Sequence, residues 1–154
     1  MNPVGPEPGK PRSASESITK LYLDSAYIAK CYLQEPDSDS VLDLVESSNA
    51  RFSSALALVE VQAVFHRHLR EGKLKPSGFR KATDLFSTDC LEGVWNWIPI
   101  TEELIHEIAS VFQRLSSKLF LRSADGLHLI SARQAGFSAI YSNDRHLLNA
   151  ASHF

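Results

Sequence analysis

The chain has two cysteines, Cys31 and Cys90, far apart and without CxxC spacing. That excludes a disulfide scaffold and a thiolate zinc motif, and reduced thiols are expected. No apolar run approaches the length of a membrane span. The N-terminus lacks the charged-then-apolar pattern of a secretory signal, so a cytoplasmic protein with no membrane partner is expected. A basic excess is also missing: 16 Lys and Arg stand against 18 Asp and Glu, for a formal charge of −2. Net charge alone therefore gives no strong affinity for nucleic acid, although a local basic rim around an acidic site stays open. There is no Walker A loop, no GxGxxG and no local Ser-His-Asp or Cys-His motif. No internal repeat is visible.

What the chain does contain is an alternation of element types. Its 154 residues, 44% of them apolar, suit one domain with a core of ordinary size. Residues 1–17 hold four of the seven prolines and read as a disordered tail, with the domain at 18–154. Strands are expected at 18–23, 50–53, 95–100 and 138–142. Helices are expected at 25–33, 38–47, 55–70, from Pro76, from Thr101, from Ser123 to Gly136, and at 145–151. Asp24 or Ser25, Ser54, Thr101 and Ser123 are the expected N-caps, and Gly72 and Gly136 the expected stops. Strands alternating with helices predict an α/β fold, its parallel sheet covered on both faces.

Four acidic residues stand out in that pattern. Asp24 and Asp144 follow the apolar runs ITKLYL and SAIYSN. Asp125 lies in the first turn of RSADGLHLISARQAG. Glu60 interrupts the apolar helix ALALVEVQAVF. In an open parallel sheet, ligands bind outside the carboxyl ends of the strands, and all these placements belong to that edge. Each Asp alone reads as an N-cap or a complement to a helix dipole. Glu60, flanked at helical spacing by Leu56, Ala57, Ala63 and Val64, needs a partner, with Arg67 distant. Together the four predict an all-oxygen site for Mg²⁺ or Mn²⁺. His128, one turn after Asp125, could hydrogen-bond near the site, but reads first as a packed, satisfied core residue.

Four segments, LYLDSAYIAKCYLQEPDS, SSALALVEVQAVFHR, LRSADGLHLISARQAG and IYSNDRHLLNAA, carry a resemblance to the PIN-domain ribonucleases, and to the VapC-like toxins of type II toxin–antitoxin systems among them. It runs from about residue 20 to the C-terminus. It implies a three-layer α/β/α sandwich with a central parallel sheet. It also implies a catalytic and metal-binding quartet of Asp24, Glu60, Asp125 and Asp144, with Ser25 and Ser142 as small polar residues beside the metal. The implied activity is Mg²⁺- or Mn²⁺-dependent endoribonuclease action, with in-line attack leaving a 5′-phosphate and a 3′-hydroxyl. RNA, a small antitoxin and a second copy of the chain are the implied partners.

Arg122, Arg145, Arg67 and Lys30 are the candidate RNA contacts, and Phe79 and Phe86 the candidate apolar interface residues. Two departures from the family pattern are visible. The family's short strand after the last helix is missing or reduced past HLLNAASHF. Gly126 stands where Ala is commoner, which should weaken its helix slightly and leave the site intact. Two other readings compete. A Mg²⁺-dependent phosphoryl-transfer α/β domain would show paired acids after the first strand, whereas Ser25 and Ala26 follow Asp24. A catalytically silent PIN-like binding module would not need the complete quartet.

Overall fold

A computed structural model describes residues 19–154, and the proline-rich segment 1–17 lies outside the described residues. Ten elements follow one another: β1 (Lys20–Tyr22), α1 (Ser25–Lys30), α2 (Ser38–Glu46), β2 (Ala50–Ser54), α3 (Ala57–Arg70), α4 (Pro76–Leu91), β3 (Asn96–Ile98), α5 (Glu102–Arg114), α6 (Ser123–Gln134) and α7 (Arg145–Ala151). The three strands pair in parallel in the order β1-β2-β3, with Leu21 opposite Arg51 and Ser53 opposite Trp97. This is the expected α/β architecture.

The two-residue period of a strand explains the layering. Leu21 and Leu23 point to one face. There they join Ile28, Val41, Val61, Phe65, Phe86 and Trp95 in the core under α1–α4. Tyr22 points to the other face, where it meets His128 of α6 and Phe137 edge-on. On that side α5 and α6 share Leu104, Ile108, Leu127 and Ile130. Among the described residues, no helix is long and apolar enough to cross a membrane.

Several boundaries differ from the expectation. The strand expected at 138–142 is reduced to a single parallel bridge between Leu23 and Tyr141. Its partner β1 is short, and just past it Asp24 turns away to cap α1, so the ladder has nothing to follow. Ser123 is not the cap of α6. That position falls on Arg122, whose side chain makes no capping bond. Leu56, not Ser54, precedes α3, although the Ser54 hydroxyl accepts from Leu56 N–H at 3.3 Å. Thr101 does cap α5, accepting from Leu104 N–H at 3.2 Å. Gly72 and Gly136 end their helices with φ of +69° and +79°, a region that favours glycine.

The proposed apolar interface residues are also placed differently. Phe86 is buried and Phe79 packs half-buried against the same core. Helical spacing put both on one face, but that face turns inward. The large apolar residues left exposed are Val59, Leu85, Leu91, Ile100, Ile105, Phe120 and Leu148. Gly126 also has a packing role. A Cβ there would lie 3.1 Å from the Phe112 ring and 3.5 Å from Leu121. Glycine therefore lets α6 approach α5 closely, and the expected small helix cost misses this contact.

Candidate active site

The acids arrive at the carboxyl ends of the strands by different routes. Asp24 follows β1, and Asp144 follows the bridging residue Tyr141. Glu60 sits in the first turn of α3 and Asp125 in the first turn of α6. All four line one cavity of about 530 Å³, together with Ser25, Ala63, Arg67, Arg122, His128 and Leu147. The structure thus brings the four acids together at one cavity.

Their oxygens are engaged by protein groups. Asp24 accepts from Tyr27 N–H at 2.9 Å, which caps α1, and from the Ser142 hydroxyl. Ser142 in turn accepts from Asp144 N–H at 2.9 Å, so one serine ties the first Asp to the last. Asp144 Oδ1 accepts from His146 and Leu147 N–H at 2.8 and 3.3 Å, capping α7. Arg122 donates to both oxygens of Asp125, at 2.7 and 3.1 Å, and to Asp144 Oδ2. Among the described residues, no three His, Cys, Asp or Glu side chains close into a ligand cluster. Like charges repel, and here each carboxylate is held by protein donors, with Arg122 shared between Asp125 and Asp144.

Glu60 has a partner that sequence reasoning missed. His128 Nε2 lies 2.8 Å from Glu60 Oε2, and its Nδ1 lies 3.1 Å from the Tyr22 hydroxyl. Ser54 N–H donates to the same hydroxyl at 3.1 Å. The assignment that satisfies every group has Tyr22 donating to Nδ1 and Nε2–H donating to Glu60. His128 is buried and satisfied, as expected for a core histidine, but its partner is the site glutamate. The available signal was its position three residues after Asp125, on the same helix face. Nothing in the sequence marked Tyr22 beyond strand alternation.

The titration of these groups follows their surroundings. Burial pushes the Asp24 carboxyl up, and the Ser142 and Tyr27 hydrogen bonds only partly offset it. Burial also acts on Glu60, but the hydrogen bond from His128, with help from Ser25 and Arg122, holds it below the usual range. Asp144 is lowered as well, because Arg122 and two backbone N–H groups outweigh burial. The Arg122 guanidinium is pushed up by its bonds to Asp125 and Asp144.

The other candidate contacts divide. Arg67 and Arg122 line the cavity, with Arg67 exposed at its rim. Arg145 is exposed in the first turn of α7, outside the lining. Lys30 is buried and donates to Pro36 C=O at 3.1 Å, away from the acids. It closes the loop after α1 and is not among the residues that line the acidic cavity.

The PIN domain family model matches residues 21–152. The chain belongs to the PIN domain family. Its structure is similar to that of VapC20 of Mycobacterium tuberculosis, described as a sarcin-ricin-loop-cleaving toxin. The TM-score is 0.68 at 17% identity, covering 84% of this chain and 94% of that one. At that identity the likeness establishes the fold. No curated protein matches the chain by sequence.

The donor set of this PIN domain suits a hard divalent cation. Four carboxylates and Ser25 line one cavity without thiolates, and Ser142 donates to Asp24. Asp125 in particular is a buried carboxylate whose compensating cation is a half-exposed arginine. The residues therefore fit Mg²⁺ or Mn²⁺, with the guanidinium in the place of positive charge.

Proposed function

We propose that this PIN domain is a metal-dependent endoribonuclease of the VapC-like toxin type, hydrolysing RNA phosphodiester bonds at the acidic cavity. One observation carries the reading: four carboxylates from distant parts of the chain face a single cavity at the carboxyl edge of the parallel sheet. A bound Mg²⁺ or Mn²⁺ would activate water and offset charge on the phosphate. Asp24, Asp125 and Asp144, with Glu60, are the residues to hold it.

The chain's own groups supply the rest. Ser142 fixes Asp24 relative to Asp144. Ser25 and Ser142 are the small polar neighbours of the cation. Tyr22 and His128 hold Glu60 as an oriented carboxylate, suited to direct or deprotonate water. Arg67 and Arg122 are placed to bind the RNA backbone, with Arg145 farther out. The toxin reading carries with it a small antitoxin that covers the cavity, a homodimer and a cytoplasmic setting, and the fold similarity to VapC20 supports it.

A silent binding module is the second reading, and one observation favours it: Arg122 already neutralises two of the carboxylates. Incubating a broad RNA pool with Mg²⁺ or with EDTA separates the two, with fragment ends read by sequencing. The nuclease gives Mg²⁺-dependent fragments bearing 5′-phosphates, and Asp24→Asn gives none. A pool left intact by the folded wild type, with Mg²⁺ and with Mn²⁺, would reject the enzyme.

A further inference from the structure

We propose that Arg122 and a divalent cation are alternative occupants of the same carboxylates, and that an RNA phosphate, by drawing Arg122 away, promotes cation binding. The inference rests on the nuclease reading and assigns to Arg122 a coupling role between cation and nucleic acid.

The geometry sets the competition. The Arg122 fork, Nε and Nη2, holds both oxygens of Asp125, and the same Nη2 also reaches Asp144 Oδ2. Asp144 Oδ1 is already spent on two backbone N–H groups at the start of α7. The oxygen that Asp144 can offer a cation is therefore the one that Arg122 holds. Both Asp125 oxygens carry a guanidinium bond while the fork is in place, so a cation approaching either would sit against that positive charge. By contrast, Ser142 and the Tyr27 N–H on Asp24 are neutral hydrogen-bond donors. A cation need not expel these, whereas a second positive charge at Asp125 and Asp144 would be repelled by the guanidinium.

Arg122 is suited to leave. Its side chain is 50% exposed, while that of Asp125 is 9% exposed. The carboxylate must have a cationic partner where it sits, but the arginine can exchange that partner for another without leaving water. A guanidinium released at the cavity mouth is a bidentate ligand for phosphate. Phosphate that captures Arg122 uncovers the cation's oxygens, and the cation that takes those oxygens frees Arg122 for phosphate. Linkage makes the effect reciprocal. Without nucleic acid, the fork keeps the acidic centre neutralised and cation affinity low.

Mn²⁺ binding to the full chain, followed by electron paramagnetic resonance, tests this. The probe is a 2′-O-methyl RNA oligonucleotide, which offers phosphates but resists cleavage. In the wild type the oligonucleotide should tighten Mn²⁺ binding about tenfold or more. Arg122→Gln should bind Mn²⁺ about tenfold tighter without the oligonucleotide and gain less from its addition. Equal Mn²⁺ affinity in wild type and Arg122→Gln, or an equal gain from the oligonucleotide, would overturn the proposal and leave the nuclease reading standing. Absence of Mn²⁺ binding in both proteins would overturn the metal-site reading together with the proposal. A readout on the wild type covers a variant that does not fold: the ¹⁵N-edited Nε–H resonance of Arg122 should shift as Mg²⁺ is added. A resonance unmoved at Mg²⁺ saturation would also overturn it.

Discussion

Helix α3 contributes to two histidine–glutamate pairs that are nearly alike in isolation. Near its start, Glu60 meets His128 at 2.8 Å; near its end, His68 meets Glu35 at 3.1 Å. In both pairs the histidine is buried and the glutamate partly exposed, with glutamate side chains at 26% and 29%. Their surroundings differ. Glu60 faces Asp24, Asp125 and Asp144 at the carboxyl edge of the sheet. Glu35 and His68 line a separate cavity with Lys73 and Lys81, where they tie the loop after α1 to α3. His128 is also held at both ring nitrogens. A pair's distance does not distinguish a working group from a structural clasp. The charges that share its cavity do.

The sharpest way to break this comparison is to make the same change in both pairs. Glu60→Gln should lower the Mg²⁺-dependent RNA cleavage rate by about 100-fold or more, and Glu35→Gln should leave it unchanged. Rates at saturating Mg²⁺ on a fluorescent RNA decide this, and equal losses would erase the distinction. Next in size is His128→Leu, with an expected loss of about 10–100-fold, typical when the partner of a ligand is removed. His128→Gln should recover part of it, because an amide can accept from Tyr22 and donate to Glu60. His68→Leu should reduce melting temperature and leave the rate per folded molecule alone.

A smaller effect concerns the charge that the acidic cavity carries and the other lacks. Burial raises Asp24, so protonation favours the folded chain. That stabilisation is full below the unfolded value of about 3.9 and is lost as pH rises through the raised folded value. At neutral pH an ionised Asp24 is therefore a net cost. Asp24→Asn should raise the metal-free melting temperature by about 2–4 °C, with cleavage abolished. A lower melting temperature would show that the carboxylate supports the fold. The smallest effect has the opposite sign. Glu60 is held low, so its contribution is present above an unfolded value of about 4.3 and is lost as pH falls through the folded value. Urea melts across the acid limb should have a shallower slope in Glu60→Gln than in the wild type.

Much of this was legible in the sequence, for physical reasons. Apolar runs ending in Asp24 and Asp144 placed the acids because a parallel sheet delivers every strand's carboxyl end to one edge. A charged residue inside an apolar helix announced that Glu60 had a partner, but not which one. The pairing with His128 spans 68 positions and depends on how closely α6 settles on the sheet. Arg122 read as an RNA contact because it is basic and close to Asp125. That the same nearness would turn it onto the carboxylates required the two Asp residues to be in view together. Lys30 and Phe86 misled for a shared cause: composition marks what a residue could touch, and packing decides what it does touch. The strand at 138–142 shrank to one bridge because the chain leaves the sheet just past Leu23, where Asp24 turns to cap α1.

That single bridge has a consequence for when the acidic cavity is assembled. Two backbone bonds hold it, Tyr141 N–H to Tyr22 C=O at 2.9 Å and Asp24 N–H to Tyr141 C=O at 3.0 Å. The Ser142–Asp24 contact beside it joins residues 118 positions apart. Contacts of such long range form late, after the local helices and the β1–β2 pairing have reduced the entropy of closing the loop. Asp144 is therefore expected to reach the cavity late in folding, after the other three acids are in place. The same segment is the cheapest part of the sheet to open. Its transient release would separate Asp144 from the other acids while the core beneath α1–α4 stays closed, so the carboxylate arrangement can be lost without unfolding.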